Sequence, residues 1–244
     1  MNAIETRELT KQYRGGRTAV DRLSVTVGEG EFFALLGANG AGKTTAIKML
    51  CCLLRPTAGD ALVLGDSITD RPEAVKQKLG ISPQETAVAP NLTVRENLEL
   101  AAALYGFPRA LAREKAQRML TDFALGDREK DRAKTLSGGY QRRLSLAMAL
   151  VSDPRVLFLD EPTLGLDVRA RRELWKHIEQ LKGRVTIVLT THYLEEAQAL
   201  ADRIAIMNAG TIRALGTAEE IEKQAGAASL EDAFLALTDG GEIE

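Results

Sequence analysis

A glycine-rich stretch at residues 37–45 constrains the fold more than any other part of this 244-residue chain. It contains the pattern G-x-x-x-x-G-K-T. The apolar run 31–36 before it is typical of a buried strand, and residues 46–54 after it are typical of a helix. A strand, this glycine loop and a helix, in that order, predict a phosphate-binding loop (the P-loop) in an α/β fold.

The chemistry of that loop is electrostatic. Glycines let several backbone N–H groups converge on phosphate oxygens, and the helix N-terminus adds partial positive charge. Lys43 would reach the β- and γ-phosphates of a nucleotide, and the Thr44 hydroxyl would bind Mg²⁺. A chance glycine turn is the alternative, and the flanking strand and helix disfavour it. The predicted nucleotide-binding residues of the loop are Gly37, Ala38, Asn39, Gly40, Ala41, Gly42, Lys43, Thr44 and Thr45.

Composition narrows the class of protein. Lys plus Arg number 32 and Asp plus Glu number 34, which gives a formal net charge of −2. A near-neutral chain gives no support to bulk nucleic-acid binding, which usually requires a basic domain. Two adjacent cysteines in the predicted post-loop helix favour neither a disulfide nor a metal pair and fit a reduced cytosolic compartment. No apolar run approaches eighteen residues, so a membrane role would need a partner.

The order of the predicted elements gives the fold class. Residues 4–10 and 23–27 are expected to be short antiparallel strands, and the alternating strands and helices elsewhere predict a mostly parallel sheet covered by helices. Residues 86–152 are mostly helical in pattern, and Thr93 and Glu96 at their start match a capping box. We therefore expect one domain with a P-loop core (about 1–85 and 153–216), an inserted helical lobe (86–152) and short C-terminal helices (217–244).

An acidic pair supplies the second element that a P-loop needs. Four apolar residues at 156–159 predict a buried strand, and Asp160 and Glu161 follow at its carboxyl end, where α/β proteins bind ligands. Asp160 would hold Mg²⁺, as the Walker B carboxylate does in P-loop NTPases, and Glu161 could polarise the attacking water. A solvated acidic pair at a strand end is the alternative.

A second glycine-containing helix start carries a family resemblance. Residues 136–141 read Leu-Ser-Gly-Gly-Tyr-Gln, about twenty residues before the acidic strand. Together with the P-loop and Asp160-Glu161, this stretch resembles the signature motif of ATP-binding-cassette (ABC) ATPases. The resemblance extends from about Tyr13 to His192. It implies that Ser137, Gly138 and Gly139 contact ATP.

The same resemblance implies roles for further residues. Gln84 resembles the Q-loop glutamine that touches the metal and senses the membrane partner, and His192 resembles the switch histidine that contacts the γ-phosphate. Tyr13 resembles the aromatic residue that stacks on adenine, with Val20 packing beside it. His177 is expected to be structural. The implied catalytic residues are Glu161, His192 and Lys43, and the implied Mg²⁺ ligands are Thr44, Gln84 and Asp160.

Two departures from the family pattern refine the resemblance. Tyr140 stands where the signature usually has glutamine, although the phosphate-contacting Ser-Gly-Gly is intact. Residues 163–167, Thr-Leu-Gly-Leu-Asp, resemble the exporter-type ATPases paired with second-type ABC permeases, as does the stretch 229–234.

The resemblance also implies partners. ABC ATPases pair head to tail, each ATP lying between the P-loop of one subunit and the signature of the other. We therefore expect a second ATPase subunit, in a homodimer, and a separate integral membrane permease that holds the chain at the cytoplasmic side of the membrane. ATP and Mg²⁺ are the expected cofactors. One alternative is a soluble ABC ATPase acting on ribosomes or DNA, and another is an ordinary P-loop kinase or GTPase, which the signature disfavours.

Overall fold

The structure is a computed structural model that describes residues 1–238, divided between two compact units. The first unit holds Met1–Lys76 and the described residues from Gly183 onward, and the second holds Gln77–Lys182. The predicted domain boundaries stay a prediction, and the last six residues of the predicted C-terminal region, 239–244, lie outside the described part.

The elements are numbered here in chain order. The strands of the described residues are β1 (Asn2–Gln12), β2 (Thr18–Leu23), β3 (Thr26–Gly28), β4 (Phe32–Leu36), β5 (Ala58–Val63), β6 (Asp66–Ser67), β7 (Leu79–Ser82), β8 (Val156–Asp160), β9 (Thr186–Thr191), β10 (Arg203–Asn208) and β11 (Thr211–Gly216). The α-helices are α1 (Lys43–Leu50), α2 (Pro72–Lys76), α3 (Val94–Leu104), α4 (Arg109–Asp122), α5 (Gly138–Leu150), α6 (Val168–Glu179), α7 (Leu194–Leu200), α8 (Ala218–Ala225) and α9 (Leu230–Thr238).

An antiparallel sheet forms one layer of the first unit. Its strand order is β2-β1-β5-β6, and β3 pairs with β1 as well. The predicted antiparallel strands near the N-terminus are confirmed, but the predicted strand at 23–27 is wrong. The chain instead forms β2, which begins at Thr18 directly after the glycine turn, and then β3. Arg22, near the end of β2, has a left-handed backbone with φ 45°, a geometry that interrupts regular strand pairing.

A mostly parallel sheet forms the second layer of the first unit. Its order is β11-β10-β4-β9, with β4 parallel to β9 and β10, and β11 antiparallel to β10. All five residues of β4 are buried, as expected for a strand covered on both faces. Leu36, the last residue of β4, pairs with Thr191, the last residue of β9. The carboxyl ends of these two strands therefore share one edge of the sheet.

Helices α7, α8 and α9 cover one face of this sheet. Their buried residues Ala197, Ile221 and Leu230 join Leu36 of β4 and Ile206 of β10 in a single apolar cluster. Burial of each leucine and isoleucine side chain contributes about 1.5–3 kcal/mol relative to exposure. The cluster therefore fixes β4, and with it the loop that follows β4.

The second unit combines a two-strand parallel pair with helices. Leu79 of β7 lies opposite Val156 of β8, and all five residues of β8 are buried. Helices α3, α4 and α5 lie between these strands in the chain, and α3 contacts both α4 and α5. Two short 3₁₀ turns, Gly126–Arg128 and Ala133–Thr135, lead into α5.

The predicted capping box at the start of α3 is confirmed. The Thr93 hydroxyl accepts a bond from the Glu96 N–H at 3.1 Å, and the Glu96 carboxylate accepts one from the Thr93 N–H at 2.7 Å. The bonds from Thr93 lower the pKa of the Glu96 carboxyl. Each bond satisfies a backbone or side-chain group that the helix start would otherwise leave to water.

Thr93→Ala is expected to lower the free energy of unfolding by about 1 kcal/mol, because the Glu96 N–H loses its capping acceptor. Urea denaturation followed by circular dichroism measures the change. Thr121→Ala, at an exposed position inside α4, is the matched control and should stay within about 0.5 kcal/mol of the parent. A Thr93→Ala loss no larger than the control's would contradict the capping assignment.

Candidate functional site

The predicted P-loop connects β4 to α1 in the first unit. Gly40 and Gly42 have φ angles of 85° and 110°, in the left-handed region that side chains disfavour. A Cβ atom at Gly42 would lie 2.2 Å from the carbonyl oxygen of Ala19, so no side chain fits there. Gly42 is also the N-cap of α1 and has no side chain with which to cap that helix. The loop is thus a glycine-lined cradle at a helix N-terminus, which is the geometry that binds phosphate.

Lys43 lies across this cradle. Its side chain is buried, and its Nζ donates hydrogen bonds to the carbonyl oxygens of Gly37 at 2.7 Å and Ala38 at 3.2 Å. A buried ammonium is costly unless it is hydrogen-bonded, and these two carbonyls meet that need. The result is a positive charge held on the loop itself.

Tyr13 lies beside the same loop. Its hydroxyl is 3.5 Å from the Thr45 hydroxyl, and its ring is 41% exposed. The Tyr13 N–H donates to the Arg17 carbonyl at 2.9 Å, which closes the turn between β1 and β2. The exposed ring is available for stacking. Val20, by contrast, is fully buried, so its side chain packs in the core of the first unit.

His192 comes directly after β9, at the edge of the sheet where the P-loop begins. The Gly37 N–H donates to the Thr191 carbonyl at 3.3 Å, which ties the first residue of the loop to the end of β9. The His192 ring lies 4.1 Å, centroid to centroid, from the ring of Tyr193. The structure therefore brings together, within one unit, the P-loop, Tyr13 and His192.

The acidic pair lies in the second unit, at the carboxyl end of β8. Asp160 and Glu161 are each 5% exposed. Glu161 has a left-handed backbone with φ 49°, which costs a non-glycine residue about 1–3 kcal/mol. Backbone strain of this kind clusters at functional positions.

The signature stretch opens α5. Ser137 is the N-cap of this helix, and its hydroxyl makes no capping hydrogen bond. Gly139 packs closely, since a Cβ there would lie 3.1 Å from the Cβ of Ala170. Gln141 Nε2 donates to the carbonyls of Ala133 and Leu136, each at 3.2 Å. These bonds hold the segment before α5 against the first turn of the helix.

Tyr140, the departure from the family pattern, has partners of its own. Its hydroxyl donates to Asp127 at 3.0 Å, and the Arg143 guanidinium lies 4.1 Å from its ring centroid. Arg143 in turn donates to the carbonyls of Phe123 and Ala124 at 3.5 Å. The tyrosine thus braces the first turn of α5 against the preceding chain.

Sequence reasoning missed one buried residue of the second unit, Arg142. Its guanidinium donates to the Pro83 carbonyl at 2.9 Å and to the Gln84 carbonyl, directly before the helical lobe. Burial lowers the pKa of Arg142, and the charge of Asp160 opposes that shift. The available signal was the arginine pair 142–143, which stands directly before the mostly apolar run 144–150 of the same helix.

His177, expected to be structural, packs on the ring of Phe123 with centroids 5.3 Å apart. Burial and the nearby charge of Arg143 lower the pKa of His177, which favours the neutral imidazole. Both contacts lie within the second unit and agree with a packing role.

The residues present fit ATP and Mg²⁺. The glycine cradle, whose positions 37 and 42 have no room for a Cβ, matches a polyphosphate. The predicted metal ligands are a hydroxyl, an amide and a carboxylate, which are the oxygen donors that Mg²⁺ prefers. Within residues 1–238, no group of three or more His, Cys, Asp or Glu side chains is placed to hold a metal ion.

Comparison with known proteins decides the family. The family described as ABC transporter matches residues 20–164. The daunorubicin/doxorubicin resistance ATP-binding protein DrrA of Streptomyces peucetius is 44% identical over 225 residues, which cover 92% of this chain and 68% of that protein. This chain belongs to the ABC transporter family.

Solved structures of ABC ATPases agree with the fold. The ATP-binding subunit of an ABC transporter matches 96% of this chain and 99% of its own, with a TM-score of 0.85 and 30% identity. The dimeric cassette MJ0796 in a post-hydrolysis state with ADP and phosphate matches 88% of this chain and 98% of its own, with a TM-score of 0.80 and 25% identity. The predicted P-loop NTPase fold class is confirmed.

As an ABC ATPase, the chain binds ATP and hydrolyses it as a subunit of an ABC transporter. The alternative of a ribosome- or DNA-directed ATPase finds no support among these relatives. No helix within residues 1–238 has both the length and the apolar character needed to cross a bilayer.

Proposed function

We propose that this ABC ATPase powers an exporter by driving a separate membrane permease through ATP-dependent dimerisation. The observation that carries the proposal is an apolar groove on the second unit that flanks Gln84 in the chain. The groove is about 220 Å³ in volume. Its lining residues include Ile81 and Ala87 on either side of Gln84 and the exposed Leu100, Leu104 and Tyr105 of the α3 end.

Each site residue has a proposed role. Lys43, fixed on the loop carbonyls, stabilises the charge of the transferring phosphoryl group, and His192 contacts the γ-phosphate. Glu161 polarises the attacking water as general base. Mg²⁺, when bound, neutralises phosphate charge, and we propose Thr44, Gln84 and Asp160 as its ligands. This metal assignment stays a prediction.

The proposed nucleotide contacts come from two subunits. Residues 37–45 bind the phosphates and Tyr13 stacks on the adenine, with Val20 behind it. In the proposed dimer, Ser137, Gly138 and Gly139 contact the ATP held by the partner subunit.

Two helix N-termini support the dimeric arrangement. One opens α1 at Gly42 in the first unit, and the other opens α5 at Ser137 in the second, each without a side-chain cap. Uncapped helix starts favour anionic ligands. We propose that a second copy of the chain supplies the signature start to each P-loop, in line with the dimer described for the MJ0796 cassette.

The exposed leucines support a membrane partner. Leu104 is 81% exposed and Leu100 41%, and a cluster of exposed apolar side chains around a groove marks an interaction site. We propose that the permease fills this groove and holds the chain at the cytoplasmic side of the cell membrane. The named drug-resistance relative supports the export direction.

Leu104→Glu is expected to release the chain from the membrane fraction, because a carboxylate in the groove would have to be desolvated on docking. Leu104 is too exposed for the change to disturb folding. Sedimentation of membranes from cells that produce the chain, followed by quantification in pellet and supernatant, measures the effect. We expect about a tenfold loss from the pellet, equivalent to about 1.4 kcal/mol of binding.

Leu53→Glu is the matched control, since Leu53 is 63% exposed and does not line the groove. It should leave the pellet fraction unchanged. The ATPase rate of both purified variants should equal that of the parent chain. Equal membrane retention of Leu104→Glu and Leu53→Glu would refute this docking surface.

A further inference from the structure

We propose that Arg142 is a positioning residue that fastens the Gln84 segment to the signature helix, so that these two segments move as one body. The inference rests on the roles proposed above for Gln84 and for the start of α5. All the contacts that carry it lie within the second unit.

The Arg142 side chain bridges the two segments directly. It lies in the second turn of α5, and its two guanidinium nitrogens donate to consecutive carbonyls, those of Pro83 and Gln84. A planar guanidinium can serve two acceptors at once in a fixed geometry, which an ammonium cannot. The backbone at Gln84 is therefore held in orientation as well as in place.

Two further contacts continue the attachment along α5. The Ser82 and Ser145 hydroxyls are 3.2 Å apart and buried. At Gly80, a Cβ would lie 2.2 Å from the Ala149 carbonyl, so β7 approaches the helix backbone closely. Positions 142, 145 and 149 are three and four residues apart and lie on one face of the helix. This face of α5 therefore lies along β7: Arg142 is next to Gln84, Ser145 is next to Ser82, and Ala149 is next to Gly80.

The burial of a charged side chain at Arg142 indicates a role beyond filling space in the core. Arg142 is 7% exposed, and a buried cation is retained at a cost in desolvation unless its surroundings compensate. The compensation comes from the two carbonyls and from the field of Asp160, the predicted metal ligand. Arg142 therefore links three segments that the proposed function uses: the signature start, the Gln84 backbone and the acidic end of β8.

Displacement of the Gln84 segment by a docked permease would, through this link, be passed to the start of α5. The signature turn would move towards or away from the partner subunit's ATP. In this arrangement Arg142 acts only through Gln84 and α5.

Arg142→Lys tests the proposal, because lysine keeps the charge but cannot serve both carbonyls in the same geometry. Hydrogen–deuterium exchange of the full chain without nucleotide should show peptides covering residues 83–88 exchanging about tenfold faster than in the parent. The turnover number for ATP should fall about tenfold, while the Kd for ATP stays within about threefold, since the P-loop lies in the other unit.

Lys130→Ala is the control, because Lys130 is exposed and lies in the same unit. It should match the parent in exchange, turnover and Kd. If Arg142→Lys fails to fold, Ser145→Ala keeps the proposal testable. Loss of the bond to Ser82 should accelerate the same peptides about threefold and leave the thermal midpoint within a few degrees of the parent's.

The outcomes separate this inference from the proposed function. Unchanged exchange at residues 83–88, or a fall in turnover matched by an equal loss of ATP affinity, would overturn the positioning role. Equal membrane retention of Leu104→Glu and Leu53→Glu would instead count against the proposed permease docking, and the exchange measurement would still decide whether Arg142 fastens the Gln84 segment.

Discussion

Glu161→Gln is expected to bind ATP with nearly the parent affinity and to hydrolyse it at least about a hundredfold more slowly. A general base contributes about 10²–10⁴-fold to a rate, and glutamine keeps the size of the side chain while losing its basicity. The strained backbone at Glu161, with φ 49°, should tolerate glutamine as it does glutamate, because the two residues differ only in the terminal group. Steady-state phosphate release and ATP binding by isothermal titration measure the two effects separately.

The matched control for this change is Glu179→Gln, an exposed position at the end of α6. It should hydrolyse ATP at the parent rate. Near-parent turnover in Glu161→Gln would exclude Glu161 as the general base and would direct attention to another group at the end of β8.

Lys43→Ala is expected to weaken ATP binding about tenfold to a hundredfold. A hydrogen bond to a charged group is worth about 1.5–3 kcal/mol, and each 1.4 kcal/mol corresponds to a factor of ten. The change removes a positive charge that the Gly37 and Ala38 carbonyls hold on the loop. Hydrolysis should fall further than binding, because the charge on the phosphoryl oxygens develops in the transition state.

Lys48→Ala provides the control, as an exposed lysine of the same helix α1. Its ATP affinity should equal that of the parent. Thermal unfolding of both variants separates loss of binding from loss of the loop structure. An ATP affinity of Lys43→Ala equal to that of Lys48→Ala would contradict the role of Lys43 in phosphate binding.

Local patterns in the sequence were sufficient to predict much of this protein. The P-loop, the capping box at Thr93 and the acidic end of β8 depend on neighbouring residues, and the structure shows each of these elements where the pattern predicts it. Backbone demands at such places are local, since Gly42 needs a positive φ and the Thr93 cap needs Glu96 three residues later. Requirements of this kind can therefore be recognised from residue type and spacing in the sequence.

Features that depend on distant residues were not predictable in the same way. Arg142 is buried because of the carbonyls at Pro83 and Gln84, almost sixty residues earlier, and no spacing rule connects them. The burial of Val20 likewise depends on the packing of the antiparallel sheet rather than on its neighbours in the chain. The break between β2 and β3 replaced one predicted strand with two, since a left-handed residue at Arg22 is not visible in hydrophobic patterning.

The departure at Tyr140 shows how structure refines a motif. From the sequence, Tyr140 departs from the usual glutamine while the phosphate-contacting Ser-Gly-Gly is intact. In the structure the Tyr140 hydroxyl bonds to Asp127, and its ring packs on Arg143, while the Ser137 start of α5 has no side-chain cap. The substitution thus changes how the helix start is braced and leaves the Ser-Gly-Gly turn unchanged.

We propose that each nucleotide site is completed by a second copy of the chain. The most direct test is the molar mass of the Glu161→Gln variant in solution, measured by light scattering with and without ATP. The account predicts a monomer near 26.5 kDa without nucleotide and a species of about twice that mass with ATP. A variant that binds ATP at its full affinity and remains monomeric at every protein concentration would contradict it.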